Sequence, residues 1–177
     1  MNDLIIRKAT IEDLSVIQAL NNSLFELEKS NYDPTLVKNW PLTEEGKEYF
    51  CDLINNNYVI VAQLNNNNIV GYLAGTINEK GSYEEVKYGE INNMFIKDEC
   101  RGLGIGKLLI NNFKDYCKTN RINNVKVTAS FKNKNAIEFY KKNGFEEFDL
   151  TLTLKIWYVR PVQYVHSCRK RQSLIWK

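Results

Sequence analysis

Histidine is almost missing from this chain: His166 is the only one in 177 residues. A lone histidine argues against a Ser-His or Cys-His nucleophile pair and against a zinc site built on imidazole. Cysteine is scarce and scattered, at 51, 100, 117 and 168, with no C-x-x-C pair and no metal-ligand spacing. Reduced thiols in a cytoplasmic protein are the simplest reading, and no metal is called for. Long apolar runs are absent too; none approaches the ~20 residues of a membrane helix. The opening Met1-Asn2-Asp3-Leu4 has no basic leader before an apolar stretch, so no signal peptide and no membrane partner are expected. Acids are missing from residues 158–177, which hold Arg160, Arg169, Lys170, Arg171 and Lys177. Removing these five from the 24 bases leaves 19 against 21 acids, so the body is slightly acidic despite the net charge of +3. A basic tail on such a body does not read as a nucleic-acid-binding domain. It favours at most an anionic partner at the tail. What remains, 44% hydrophobic and 25% charged residues over this length, is enough for one domain with a sizeable core.

The most informative stretch is Cys100-Arg101-Gly102-Leu103-Gly104-Ile105-Gly106-Lys107. An apolar run, Met94-Phe95-Ile96, precedes it. A helical pattern follows, with Ile105, Leu108, Leu109, Phe113, Tyr116 and Cys117 recurring near three- and four-residue steps. The spacing predicts a strand, a glycine-rich turn and a helix. The first N–H groups of a helix lack internal partners and carry partial positive charge, so the turn suits a phosphate or pyrophosphate, with Arg101 and Lys107 beside it. Two common phosphate motifs do not fit. A dinucleotide fingerprint needs its third glycine one residue later, and a P-loop needs glycine where Arg101 stands and Ser or Thr where Leu108 stands.

The pattern R-x-x-G-x-G does fit, and it resembles the acetyl-CoA motif of the GNAT superfamily of acyl-CoA-dependent N-acetyltransferases. A second segment, Asn133-Lys134-Asn135-Ala136-Ile137-Glu138-Phe139-Tyr140-Lys141-Lys142-Asn143-Gly144-Phe145, is similar to that family's N-x-x-A-x-x-x-Y-x-K-x-G-F. The resemblance implies an α/β fold with a central, mostly antiparallel twisted sheet of six to seven strands. About four helices flank it, and it is splayed between the fourth and fifth strands. It covers residues 1–157 as one N-acetyltransferase domain and leaves residues 158–177 as a basic extension.

Taken in order, residues 4–9 read as a strand and Thr10 as the cap of a helix over 11–28, with Asp13 placed for a capping box. Residues 30–41 form a linker punctuated by proline. Thr43 caps a second helix over 44–54. Strands over 58–62 and 69–77 flank the Asn65–68 turn, since asparagine tolerates positive φ. A strand over 86–96 leads into the glycine turn, and a helix over 104–119 follows it. A strand over 125–129 and a helix capped by Asn133 or Asn135 come next, and Asn143-Gly144 ends that helix. Residues 145–149 and 151–157 are expected to close the sheet as a pair of strands.

The resemblance also assigns roles. Met94, Phe95 and Ile96 would pair through their backbone with the pantetheine arm of acetyl-CoA, one N–H facing the thioester oxygen. Arg101, Gly102, Leu103, Gly104, Ile105, Gly106 and Lys107 would hold the pyrophosphate. Asn133, Ala136, Phe139 and Tyr140 would flank the arm. Tyr140 would act as general acid, and Glu90, eleven residues before Arg101, as base. Phe25 and Tyr32, with Trp40, would border the acceptor pocket together with Asn92 and Asn93; Glu26, Glu28 and Asp33, in the variable region, are further candidates for the base. The expected activity is direct acetyl transfer to a primary amine, of a small molecule or a peptide, and a homodimer is left open. Two rivals remain: a sensor that binds acetyl-CoA without turnover, and a toxin-like acetylator of aminoacyl-tRNA.

Overall fold

A computed structural model of the chain describes residues 4–64, 67–81 and 85–156. In order, the elements are β1 (Leu4–Lys8), α1 (Leu14–Asn31), α2 (Glu44–Asn56), β2 (Tyr58–Leu64), β3 (Ile69–Asn78) and β4 (Tyr88–Ile96). They are followed by α3 (Ile105–Thr119), β5 (Asn124–Val127) and α4 (Lys134–Lys142), and short 3-10 turns sit at Ile11–Asp13, Trp40–Leu42 and Asp98–Cys100. The strands form one sheet in the order β1-β2-β3-β4-β5. The first three pairings are antiparallel and β4–β5 is parallel, because α3 returns the chain to the starting end of the sheet.

Both faces of the sheet are covered, which is why four consecutive residues of β2, Val59, Ile60, Val61 and Ala62, are buried rather than alternating. On one face Ile17 and Leu20 of α1 and Phe50 and Leu53 of α2 pack with Val59, Val61, Tyr72 and Phe95. On the other, Ile105, Leu109, Ile110 and Phe113 of α3 pack with Ile60, Leu73 and Ile91. The ends of α1 and α2 follow their caps. Asp13 accepts from the Thr10 N–H at 2.8 Å and takes Arg7 of β1 bidentately at 2.7 and 2.8 Å. Thr43 Oγ1 accepts from the Gly46 N–H at 3.2 Å. Asn67 takes the left-handed conformation (φ 62°) that the turn between β2 and β3 requires.

Two expectations need correction. The sheet has five strands among the described residues, not six to seven. Residues 145–156 form no strand, so the closing pair is not made there. The alternating Leu152, Leu154 and Ile156 are 83–85% exposed. Alternation supplies an apolar face, but a strand also needs a neighbour for its backbone groups, and these residues have none among the described ones. Trp157 and residues 158–177 lie outside the described residues. The chain divides after Glu146 into two units, and of the second only residues 147–156 are described. The α/β class, the four helices and the mostly antiparallel sheet are as expected. Among the described residues, no helix is long and apolar enough to cross a membrane.

Candidate active site

The sheet opens along one edge of β4. Its pairing with β5 runs from Tyr88 to Ile91 and stops, while its pairing with β3 continues to Ile96. The edge of residues 92–96 away from β3 therefore has no strand partner among the described residues. A bulge marks the same place: Ala74 faces Asn93 and Gly75 faces Ile91, so Asn92 is the extra residue. A bulge bends its strand and re-aims its groups, here at the point of divergence. Phe95 is buried, whereas Met94 and Ile96 are half-buried.

The glycine turn follows. Gly102 and Gly104 have φ of 76° and 80°, which a side chain rarely tolerates. Gly104 starts α3 without a side-chain cap, so no capping side chain uses the first amides of that helix. Arg101 is folded onto the turn itself: it donates to the Ile96 carbonyl at 3.0 Å, pairs with Asp98 at 2.7 Å and covers the Phe95 ring at 5.3 Å. Its charge is thus partly spent on shaping the turn. Lys107 is exposed on the first turn of α3.

Gly106 answers to a different constraint. A Cβ there would lie 2.7 Å from Cζ of Phe139, so the bare residue 106 leaves the space that this ring fills between α3 and α4. This contact joins two segments that are about thirty residues apart in sequence. Asn133 caps α4, its Oδ1 accepting from the Ala136 N–H at 3.0 Å. Tyr140 stands edge-on to Phe139 and Phe145, at 5.3 and 5.5 Å between ring centroids. Burial, then the nearby Glu28 carboxylate, push its phenol up to about 12, so it keeps its proton across the neutral range.

The opposite face of β4 carries a polar network under α1 and α2. Asn21, fully buried on α1, donates to the Tyr72 hydroxyl at 2.7 Å and to Asn93 Oδ1 at 3.1 Å. Asn93 in turn donates to the Tyr49 hydroxyl at 3.2 Å. Burial raises both phenols above the ordinary tyrosine range. An aromatic row runs beside the network: Phe25 stacks on Trp40, Trp40 meets Tyr49, and Tyr49 meets Phe50, with centroids 5.0 to 5.7 Å apart. Of the residues expected at an acceptor pocket, Phe25, Trp40 and Asn93 come together here. Asn92 is exposed on the bulge, and Tyr32 closes the end of α1 without a ring contact among the described residues. A cleft of 360 Å³, lined by Ser23, Phe95, Lys97, Asp98 and Glu99, opens between α1 and the end of β4.

Two further carboxylates have partners of their own. Glu90 Oε2 accepts from Asn78 Nδ2 and lies 3.4 Å from Lys126 Nζ. Glu28 accepts from Asn133 Nδ2 at 3.3 Å, and burial raises its carboxyl above the usual range. Sequence reasoning passed over Asn21, Tyr49 and Tyr72. One signal was present: Asn21 falls on the apolar stripe of α1, four residues after Ile17 and next to Leu20.

Comparison with known proteins shows the family and the fold. The family model described as the acetyltransferase (GNAT) family matches residues 21–145. Over 78 residues the chain is 40% identical to an uncharacterized N-acetyltransferase of Methanocaldococcus jannaschii, which is 44% of this chain and 34% of that protein. The match thus spans about a third of the length of that relative. A predicted acetyltransferase with acetyl-CoA from Clostridium acetobutylicum superposes with a TM-score of 0.69 at 24% identity, covering 86% of this chain and 96% of that one. An aminoglycoside acetyltransferase from an uncultured soil metagenomic sample, in complex with trehalose, superposes with a TM-score of 0.67 at 28% identity, covering 88% and 98%.

Proposed function

The chain belongs to the acetyltransferase (GNAT) family, and from that premise we propose that it transfers an acetyl group from acetyl-CoA directly to a primary amine. The observation that carries this reading is the open edge of β4 running into a glycine turn and an uncapped helix N-terminus. An unpaired strand edge suits the amides of a pantetheine arm, and free helix amides suit a pyrophosphate. The related structure with acetyl-CoA supports the same donor.

Acetyl-CoA supplies the acetyl group as an activated thioester. The backbone of Met94, Phe95 and Ile96 holds the arm, and one N–H of this edge polarises the carbonyl. The amides of Gly102, Leu103, Gly104, Ile105 and Gly106 hold the pyrophosphate, with Lys107 adding charge and Arg101 bracing the turn. Asn133, Ala136 and Phe139 flank the arm from α4. Tyr140 gives its proton to the departing thiolate. An aliphatic amine with a pKa near 10 arrives charged at neutral pH, so a proton must first be removed; Glu90 takes it through water, since Asn78 and Lys126 already engage its carboxylate. Phe25, Trp40, Tyr49 and Asn93 line the acceptor side, with Tyr32 and Asn92 at its margins.

We place the transferase within residues 1–157, with residues 158–177 outside it, and the protein in the cytoplasm, in keeping with its unpaired Cys51, Cys100 and Cys117. The acceptor is a small-molecule or peptide amine; the aminoglycoside acetyltransferase among the neighbours makes amino sugars a first class to assay. The test is a panel of amines with acetyl-CoA, followed by release of free thiol. Turnover with at least one amine is expected. Tight acetyl-CoA binding with no thiol release across the panel would instead favour a sensor.

A further inference from the structure

We propose that Glu28 receives the acceptor's ammonium group. Its carboxylate, at the C-terminal end of α1 and hydrogen-bonded to the Asn133 cap of α4, holds a protonated aliphatic amine beside Tyr140. This assignment rests on the transfer reading above and names a substrate class for it: amines that arrive as cations.

Three observations meet at this residue. Glu28 is half-buried, yet no lysine or arginine pairs with it among the described residues. The nearest cation in sequence, Lys29, spends its ammonium on the carbonyls of Pro34 and Leu36. The carboxylate lies in the last turn of α1 (Leu14–Asn31), where the helix dipole is negative, and Asp33 adds a further negative charge. An anion placed there is unfavourable alone and attracts a cation. Its one side-chain hydrogen bond among the described residues, 3.3 Å from Asn133 Nδ2, ties it to the start of α4, the helix that carries Tyr140. The acid that protonates the leaving thiolate must lie within a few ångströms of the thioester, and so must the attacking nitrogen. A carboxylate tied to the cap of that helix is therefore placed to steer that nitrogen. Glu90, held by Asn78 and Lys126, lacks this freedom.

The test is Glu28→Gln, which keeps the shape and the hydrogen-bonding oxygen but removes the charge. Binding of propylammonium to the free protein, read by calorimetry, should weaken about 10- to 100-fold, the scale of a charge-assisted hydrogen bond. In turnover, KM for a cationic aliphatic amine should rise by the same factor while kcat stays close to that of the parent. KM for an arylamine, neutral at the assay pH, should not move. Glu28→Asp, which keeps the charge, should recover most of the propylammonium affinity, and this guards against a loss that is merely structural. Equal propylammonium affinity in parent and Glu28→Gln, or equal KM changes for the cationic and neutral amines, would overturn the assignment. Failure of the parent protein to bind acetyl-CoA would overturn the transfer reading instead, and the calorimetry on free protein would still decide Glu28.

Discussion

The two faces of β4 are built on different principles. Toward α3 and α4, local backbone geometry sets the surface: Gly102 and Gly104 permit the turn, and Gly106 leaves room for the Phe139 ring. Toward α1 and α2, the groups are side chains from four distant elements, joined as Tyr72, Asn21, Asn93 and Tyr49. A backbone site needs fixed local spacing and is therefore written as a motif. A side-chain site needs only that the fold bring its members together, and it leaves no such trace.

The largest effect should come from breaking the backbone face. Gly104→Glu forces a side chain into positive φ and adds negative charge at the start of α3, so acetyl-CoA binding measured by calorimetry should be abolished. If this variant binds acetyl-CoA normally, the turn is not where the cofactor sits. Next comes Tyr140→Phe, which removes the proposed acid; kcat should fall about 10²- to 10⁴-fold with acetyl-CoA affinity nearly unchanged. The parent enzyme sharpens this: the acid works protonated and its phenol is raised to about 12, so kcat should show no loss of the acid through the ordinary tyrosine range near 10. An alkaline fall centred there would assign the acid to a different group.

The other face should respond by degrees. Asp13→Asn cuts the carboxylate that ties β1 to the start of α1 and should cost about 2 kcal/mol in urea unfolding, below a fully buried pair because Arg7 is partly exposed. Arg7 and the Thr10 amide hold the Asp13 carboxyl below its usual range. Its contribution is therefore present above the ordinary carboxylate range and is lost as pH falls through the lowered folded value. At pH 7 the variant should show its full deficit, and the gap to the parent should close in acid. Asn21→Ala should cost about 1–3 kcal/mol by unpairing Tyr72 and Asn93. It should raise KM for the amine while leaving acetyl-CoA affinity alone; an equal change in both would mean the two faces are not separable.

How much of this was legible follows from the same contrast. The Arg101–Lys107 turn, the Thr10 and Thr43 caps and the break at Gly144 are local rules, each readable from a few neighbouring residues, and the same rules narrowed the cap of α4 to Asn133 or Asn135. The fifth strand and the opening beside it were also within reach, because the resemblance carried them. The closing strands were not, since alternation over residues 151–156 says nothing of whether a neighbour is present. Asn21 shows the remaining gap. Its place on the apolar stripe of α1 marked it as buried, but its partners lie 51 and 72 residues away, and no local pattern names them.

The contact between Gly106 and Phe139 has a consequence for how such a protein can change. The space between those two helices is a single allotment divided between two positions: one holds nothing so that the other can hold a ring. Enlarging residue 106 requires the ring at residue 139 to shift or shrink. Two stretches that look independent in the sequence therefore draw on one space.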